Sequence, residues 1–442
     1  MERKEEEKVR KKMRKRKRKE EKKKKKKKKR DVEEGDAVVE AARLRAMTKL
    51  TRVFEQNAAP VLGGKWLSFL CEFIYGATTS DGEEEPRSRS TSSRGMRIDV
   101  VIPSSESMVH GASRFQLLRN MLVAAQSKRK LQENEVDQIC ENIARGVRNA
   151  NDELQQRIAD NAMHSRDVVV ERECIQGVHK FGSRTVVRLT CAETSVEIGE
   201  VHEQQLRARF QCNSERSGGS DADIVERERA FRRAAFCCIA RYLASIGGLH
   251  RFAGGFHAAL HPKCFELLHT HLEISCECFA SPLNVSPTSS SFCSIYADLD
   301  AAFGSKGSFF DFYPQEGSFE CNPPFIDRIV GRMLTHIEGL LSRAEASGLP
   351  LSFTIIVKKD RDAKNWQRIR SSRYKIFDMT LWQGEHGYCE GAAFARKRVY
   401  RPALHDSSFF ILQTKPAAAK WSLTEDAWNE IKAAFAAPLA DE

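Results

Sequence analysis

Several things are missing from this sequence, and each absence narrows the reading. No apolar run approaches the ~20 residues that span a bilayer, so a soluble chain with no membrane partner is expected. No apolar stretch follows the basic start, which therefore does not read as a signal peptide. The 13 cysteines are odd in number and include no CxxC pair. Cys237 and Cys238 are adjacent, and Cys276 and Cys278 stand two apart. Neither spacing suits a zinc site, so no metal is expected and the thiols read as reduced core residues. No internal repeat is visible.

Net positive charge is confined to one place. Residues 1–30 carry 21 Lys/Arg against 6 Glu, a net of +15, whereas the whole chain is +12, leaving 12 − 15 = −3 for residues 31–442. A block of like charges cannot bury itself and stays solvated. It implies nuclear import and a salt-sensitive attraction to RNA, hence a nuclear location.

The patterning divides the chain. Residues 1–35 read as a disordered Lys/Arg-rich tail, 36–77 as a short helical segment and 78–97 as a flexible Ser- and charge-rich linker. Residues 98–254 read as a helical or α+β accessory domain. Its helical hairpin carries Phe115, Leu118, Met121 and Leu122 on one arm and Val136, Ile139, Ile143 and Val147 on the other. Two β-branched runs follow, separated by Phe181-Gly182-Ser183, and then a helix stopped by Gly247-Gly248. Residues 255–442 have strand–loop–helix–strand grammar. GSFEC (317–321) predicts a strand. A strongly amphipathic run from Ile326 to Leu341 predicts a helix, stopped by Ser347-Gly348-Leu349-Pro350, and LSFTIIV (351–357) predicts a buried strand. SSFFILQT (407–414) supplies another strand, and Ser422-x-x-Glu425 reads as the cap of a last helix.

Between the first strand and helix of that unit stands Asn322-Pro323-Pro324-Phe325. Two consecutive prolines fix φ and remove two N–H donors, so this is a stiff loop. In an open α/β sheet such a loop lies where ligands bind, beyond the carboxyl end of a strand. The Asn322 carboxamide oxygen and a neighbouring backbone carbonyl are two rigid acceptors, which suit the two N–H donors of an exocyclic amine. Phe325 offers a face on which a planar base stacks. Together they describe a clamp for the amino group of adenine, working by positioning and desolvation. The bland alternative is a Pro-Pro turn that starts a helix.

A second loop, ISCECFASPLN (274–284), runs from an apolar strand into small residues, with Ala280, Ser281 and Pro282 where a cofactor loop usually carries glycines. AFGSKG (302–307) adds Gly304 and Gly307.

With these residues assembled, the chain resembles the phosphorylated CTD-interacting factor 1 family of cap-specific adenosine N6-methyltransferases. The matching text is ECFASPLN at 277–284, FGSKG at 303–307, SFECNPPF at 318–325, LSFTIIV at 351–357, SRYK at 372–375, EHGY at 385–388, HDSSFFILQ at 405–413 and KW at 420–421. Weaker similarity runs back through Ala240-Arg241-Tyr242. The resemblance implies a Rossmann-like methyltransferase domain beside a helical domain, with S-adenosylmethionine as cofactor. The substrate would be capped mRNA, methylated at N6 of the 2′-O-methyladenosine next to the m7G cap. By motif, Asn322, Pro323, Pro324 and Phe325 become the catalytic clamp. Glu277, Phe279, Ala280, Ser281, Pro282, Asn284 and Gly304 become the cofactor side. Lys306, Arg373 and Lys375 are candidate phosphate contacts, and Trp366 and Trp382 candidates to stack on m7G. His386 and His405 are candidates to contact nucleotide or cofactor but read more readily as structural. The family's metazoan members read the RNA polymerase II C-terminal domain through a WW domain, which needs two tryptophans about 20 residues apart before a proline. Only Trp66 precedes residue 300 here, so the RNA polymerase II C-terminal domain stays an open partner, without a WW domain to read it directly. Two other classes stay open: an adenine-N6 methyltransferase acting on another RNA or DNA, and a non-catalytic capped-RNA scaffold.

Overall fold

The computed structural model describes residues 37–67, 69–70, 73–74, 102, 108, 113–125, 131–161, 167–175, 184–216, 224–249, 257–389 and 400–440. The basic tail, the 78–97 linker and the Phe181–Ser183 turn lie outside these residues.

The amino-terminal part is built on helix α1 (Ala37–Leu62), which carries Pro60 in its last turn. It packs on α2 (Ser113–Ala125) and α3 (Glu133–Asn161), the expected hairpin, and on α5 (Ile224–Ser245). Strands β1 (Val169–Ile175), β2 (Arg184–Cys191) and β3 (Thr194–Gly199) form an antiparallel sheet, followed by α4 (Glu200–Arg216). The segment around residues 37–62 is thus no separate appendage. Leu44, Met47, Leu50 and Phe54 fill the same core as Phe115, Ile143 and Phe236.

The carboxyl-terminal part is a mixed α/β layer structure. Its strands are β4 (Cys276–Glu277), β5 (Ser291–Phe292), β6 (Gly317–Cys321), β7 (Leu351–Lys358), β8 (Lys375–Leu381) and β11 (Ser407–Gln413). A small ribbon, β9 (Gly387–Cys389) with β10 (Tyr400–Pro402), precedes the last of them. The main sheet has the order β5-β4-β6-β7-β11-β8. The β4–β5, β4–β6 and β6–β7 pairs are parallel, and β11 runs antiparallel to both β7 and β8. Every residue of β11 is buried, as a central strand covered on both faces requires. Helices α7 (Asp327–Ala346) and α8 (Lys364–Arg370) cover one face; α6 (Pro262–Leu272) and α9 (Glu425–Ala440) cover the other. Helix α7 buries Ile329, Val330, Met333, Leu334, Ile337, Leu340 and Leu341 at helical spacing. Each large aliphatic side chain so placed contributes about 1.5–3 kcal/mol. The last helix is capped by Thr424, whose Oγ1 accepts from Ala427 N at 3.2 Å, rather than by Ser422.

The two parts share a core. Leu283, Tyr296, Leu299 and Phe303 of the α/β part pack into the helical cluster. Beside them Asp300 is fully buried and accepts from Tyr242 Oη at 2.6 Å. Burial pushes its carboxyl up to about 7. A carboxyl raised above its unfolded value stabilises the fold most at low pH and loses that contribution as pH rises through the folded value. Asp300→Asn imitates the neutral form. Its stability relative to wild type should therefore grow from pH 4 to pH 7 by on the order of a few kcal/mol and then level off. Denaturant midpoints at pH 4.5, 6 and 8 test this; a pH-independent difference would show that Asp300 is ionised in the fold.

Candidate active site

The chain leaves β4 toward β5 on one side, while β6 lies on the other. The loops beyond the carboxyl ends of β4 and β6 therefore face each other at the point where strand order reverses, the usual ligand crevice of an open α/β sheet. These are the 278–284 and 322–325 loops.

The first loop is closed on itself. Asn284 Oδ1 accepts from Ser281 N at 2.7 Å and from Ser281 Oγ at 2.8 Å, and its Nδ2 donates to His257 O at 2.9 Å. Pro282 and Leu283 are buried, while Phe279 and Ala280 stay half-buried. Among the described residues, positive φ outside glycine occurs at Ala192, Glu193 and Glu273, none of them in this loop. The backbone follows ordinary dihedrals, so Ala280, Ser281 and Pro282 fit without glycine. Phe279 meets Phe309 and Phe310 at ring-centre distances of 5.2 and 6.1 Å and packs on Ile326 and Ile329.

Glu277 does not face the crevice. It is buried, and its Oε1 accepts from Ser286 N at 2.8 Å and Ser289 Oγ at 2.5 Å, tying the far limb of the loop to β4. Burial pushes its carboxyl up to about 7, despite Ser289, Ser286 and Arg209. It pairs in register with Glu320, also buried and raised by burial, with one oxygen lacking a hydrogen-bond partner. Gly304 also lies away from the loop. It caps a short 3-10 turn at φ +91° and lines a surface cleft with Arg209, Cys212 and Asn213.

The second loop is separate from the helix it precedes. Helix α7 begins at Asp327, so the prolines are not its first turn. Asn322 is half-buried, and its Nδ2 donates to Ala258 O at 3.0 Å. A carbonyl partner requires the amide nitrogen on that side, which fixes the carboxamide oxygen on the other. Pro324 O accepts from Ile326 N at 2.7 Å. Phe325 is held edge-on by Tyr388 at 6.4 Å and His405 at 5.5 Å.

Of these two neighbours, His405 reads from the sequence as structural before nucleotide-binding, and Tyr388 has no role assigned there, although EHGY and HDSSFF flag their segments. Tyr388 Oη donates to Ser407 Oγ at 2.8 Å, Ser407 Oγ meets His386 Nε2 at 2.9 Å, and His386 Nδ1 meets Trp382 O at 2.8 Å. A carbonyl accepts only, so Nδ1 carries the proton and Nε2 accepts from Ser407. Burial holds the His386 pKa below its usual value, in keeping with that neutral tautomer. His386 is therefore structural. His405 is different: its Nδ1 is buried without a hydrogen-bond partner.

The basic residues separate. Lys306 is exposed one residue beyond the Ser305–Phe292 bridge, on the cofactor-loop side of the crevice. Arg373 and Lys375 lie elsewhere. Lys375 opens β8 and pairs with Leu412, near the far end of β11, whereas Ser407 at its near end pairs with Lys358 and Leu381. Arg373 and Lys375 are thus at the edge opposite the Asn322 loop, with Lys375 Nζ bonded to Asp378 at 2.6 Å and Arg373 stacked over Tyr374. Trp366 is buried and donates to Ser408 Oγ at 2.8 Å, as a core residue. Among the described residues no group of three or more His, Cys, Asp or Glu is placed to hold a metal ion, and no helix is long and apolar enough to cross a membrane.

Fold and crevice together define a mixed α/β protein with an oriented carboxamide and an aromatic ring side by side at a sheet switch point. Sequence comparison gives the relationship. Residues 206–391 match the family described as "Phosphorylated CTD interacting factor 1 WW domain", which bears out the resemblance drawn from the motifs. The matched residues run from α4 through both crevice loops to β9. The chain is 36% identical over 216 residues to the mRNA (2'-O-methyladenosine-N(6)-)-methyltransferase of Homo sapiens, covering 47% of this chain and 30% of that protein, with the same figures for the Mus musculus protein. The chain thus spans under a third of the length of these curated relatives.

Proposed function

We propose that this chain is an S-adenosylmethionine-dependent RNA methyltransferase that methylates N6 of the 2′-O-methyladenosine next to the m7G cap of mRNA, with residues 257–440 as a Rossmann-like catalytic domain. The observation that carries the reading is the Asn322 carboxamide, oriented by Ala258 O beside Phe325 at the switch point. The relatives' names support it.

The apolar and aromatic lining of the first loop fits the cofactor's adenine. Phe279 and Ala280 with the closed Ser281–Asn284 loop would hold it on one limb, and the aromatic wall of Phe279 and Phe310 suits its adenine. Bound there, S-adenosylmethionine supplies an electrophilic methyl. The chain's own residues do the rest. Asn322 Oδ1 accepts one N–H of the target amine. Pro324 O is engaged by Ile326 N, which points to Pro323 O as acceptor of the second. With both hydrogens held, the nitrogen lone pair is drawn out of conjugation with the ring and aimed at the methyl. Phe325 stacks on the adenine, kept in place by Tyr388 and His405, and excludes water.

Full-length protein with labelled S-adenosylmethionine and three RNAs tests this. Transfer is expected to RNA beginning m7G-cap–2′-O-methyladenosine, and not to capped RNA beginning with guanosine. Equal transfer to uncapped RNA would favour a different adenine substrate, and no transfer at all a scaffold. Calorimetry should show the cofactor binding without RNA.

The proposed location is the nucleus, through the tail. Its net +15 over residues 1–30 gives a sequence-blind, salt-dependent pull on phosphates. Deleting residues 1–30 should leave kcat within about two-fold, since no residue of the proposed clamp or cofactor loop belongs to that segment, and should weaken nuclear accumulation. Unchanged nuclear signal for the tagged deletion would remove the import role.

A further inference from the structure

We propose that Glu277 and Glu320, two buried carboxyls side by side behind the clamp, select the positively charged methyl donor over its uncharged demethylated product by giving up a proton when the cation binds. This rests on the reading of the chain as an S-adenosylmethionine-dependent enzyme and deepens it.

The two residues are register partners on the parallel strands β4 and β6, and they are 3% and 1% exposed. Neighbouring strands stand about 4.8 Å apart, so two negative charges here, away from water, would repel strongly. Their surroundings are unequal. Glu277 takes hydrogen bonds from Ser286 N and Ser289 Oγ, with the Arg209 guanidinium of α4 close by. Among the described residues nothing donates to the Glu320 carboxyl, and its Oε1 is shut off from water as well. A buried polar group left without a partner costs free energy, which points to a bound group that completes it.

The place suits the donor. Alternation along β6 turns Glu320 away from Phe319 and Cys321 and toward Tyr388, the ring that also holds Phe325. Asn322 of the clamp follows two residues later. The other titratable groups that act on the pair or feel it are Arg209, Cys276, Cys321 and Tyr388, and Arg209 is the one cation among them. Burial raises both carboxyls, Glu277 to about 7, so the pair holds at least one proton at neutral pH. A cation brought close favours the ionised form and drives that proton off. By linkage, the ligand that expels the proton is also the ligand held more tightly as pH rises. S-adenosylmethionine and S-adenosylhomocysteine share their ammonium and carboxylate and differ by the methyl group and one positive charge. Only the donor gains from an ionised pair.

Isothermal titration of the full chain with each of these two ligands, in two buffers of different ionisation heat, counts the protons exchanged. At pH 6.5 the ligands' own amino groups stay protonated. Wild type should then release roughly half a proton or more with the donor beyond that seen with the product, and its preference for the donor should rise several-fold from pH 5.5 to pH 7. Glu320→Gln keeps the shape of the side chain and removes the charge. In that variant the excess release should vanish, and the ratio of product Kd to donor Kd should drop about ten-fold, the effect of one pKa unit of differential interaction. Equal proton counts for the two ligands in wild type, or a folded Glu320→Gln that keeps the wild-type ratio, overturns the proposal. Loss of affinity for both ligands by the same factor also overturns it, because Glu320 would then hold the shared ammonium. A wild type that binds neither ligand removes the cofactor reading itself, and this inference with it.

Discussion

Asn322→Ala is expected to reduce methyl transfer by about 10²–10³, the typical loss when one oriented partner of a reacting group is removed from a water-poor site. The substitution deletes the oxygen proposed to hold the amine and nothing else of the proposed clamp. It also deletes the Nδ2 bond to Ala258 O, which costs about 1 kcal/mol of stability by the usual net worth of a hydrogen bond. The two effects separate cleanly: a stability change of that size cannot unfold a domain, so circular dichroism and cofactor titration should be nearly unchanged while turnover vanishes. Phe325→Ala should act differently, through RNA affinity, because base stacking contributes about 1–3 kcal/mol per base. The pair should therefore split, with kcat falling in one variant and KM rising in the other. Equal turnover by wild type and a folded Asn322→Ala would show that the clamp reading is wrong.

The parts of the site legible in the sequence are those set by local physics. SFEC, the two prolines and the amphipathic run from Ile326 specify strand, stiff loop and helix within about 30 residues, because burial period and lost N–H donors act at short range. What was not legible depends on contacts between distant segments. Glu277 reads as a loop acid, but strand alternation turns it to the face opposite Cys276 and Cys278, where Ser286, Ser289 and Arg209 enclose it. Asn284 and Asn322 are both anchored to carbonyls of residues 257–258, across 27 and 64 residues. Arg373 and Lys375 stand in the expected motif, yet motif order does not say which edge of the sheet a residue occupies. That follows only from β11 running antiparallel between β7 and β8.

Glu40→Leu should cause the largest loss of stability. Glu40 is 2% exposed in α1 and pairs with two guanidiniums. Arg241 Nε and Nη2 donate to its two oxygens at 2.9 and 2.5 Å, and Arg43 forms a second ion pair. Burial pushes the Glu40 carboxyl up, but Arg43 and Arg241 outweigh it and hold the carboxyl below its usual value. Arg241 also reaches Asp298 Oδ2 at 3.2 Å and lies over the Tyr296 ring, so the cluster ties the helical part to the segment that follows β5. Removing the carboxylate takes their shared partner from two buried guanidiniums and leaves Arg241 facing only the exposed Asp298, and an uncompensated buried charge costs about 3–5 kcal/mol. Arg241→Met should cost less, because Glu40 keeps Arg43 and Asp298 is already open to water. The order of the two variants is the test, read from urea midpoints of the full chain at pH 7. If Arg241→Met proves the more damaging, Asp298 rather than Glu40 is the anchor, and the joint between the two parts is held from the sheet side.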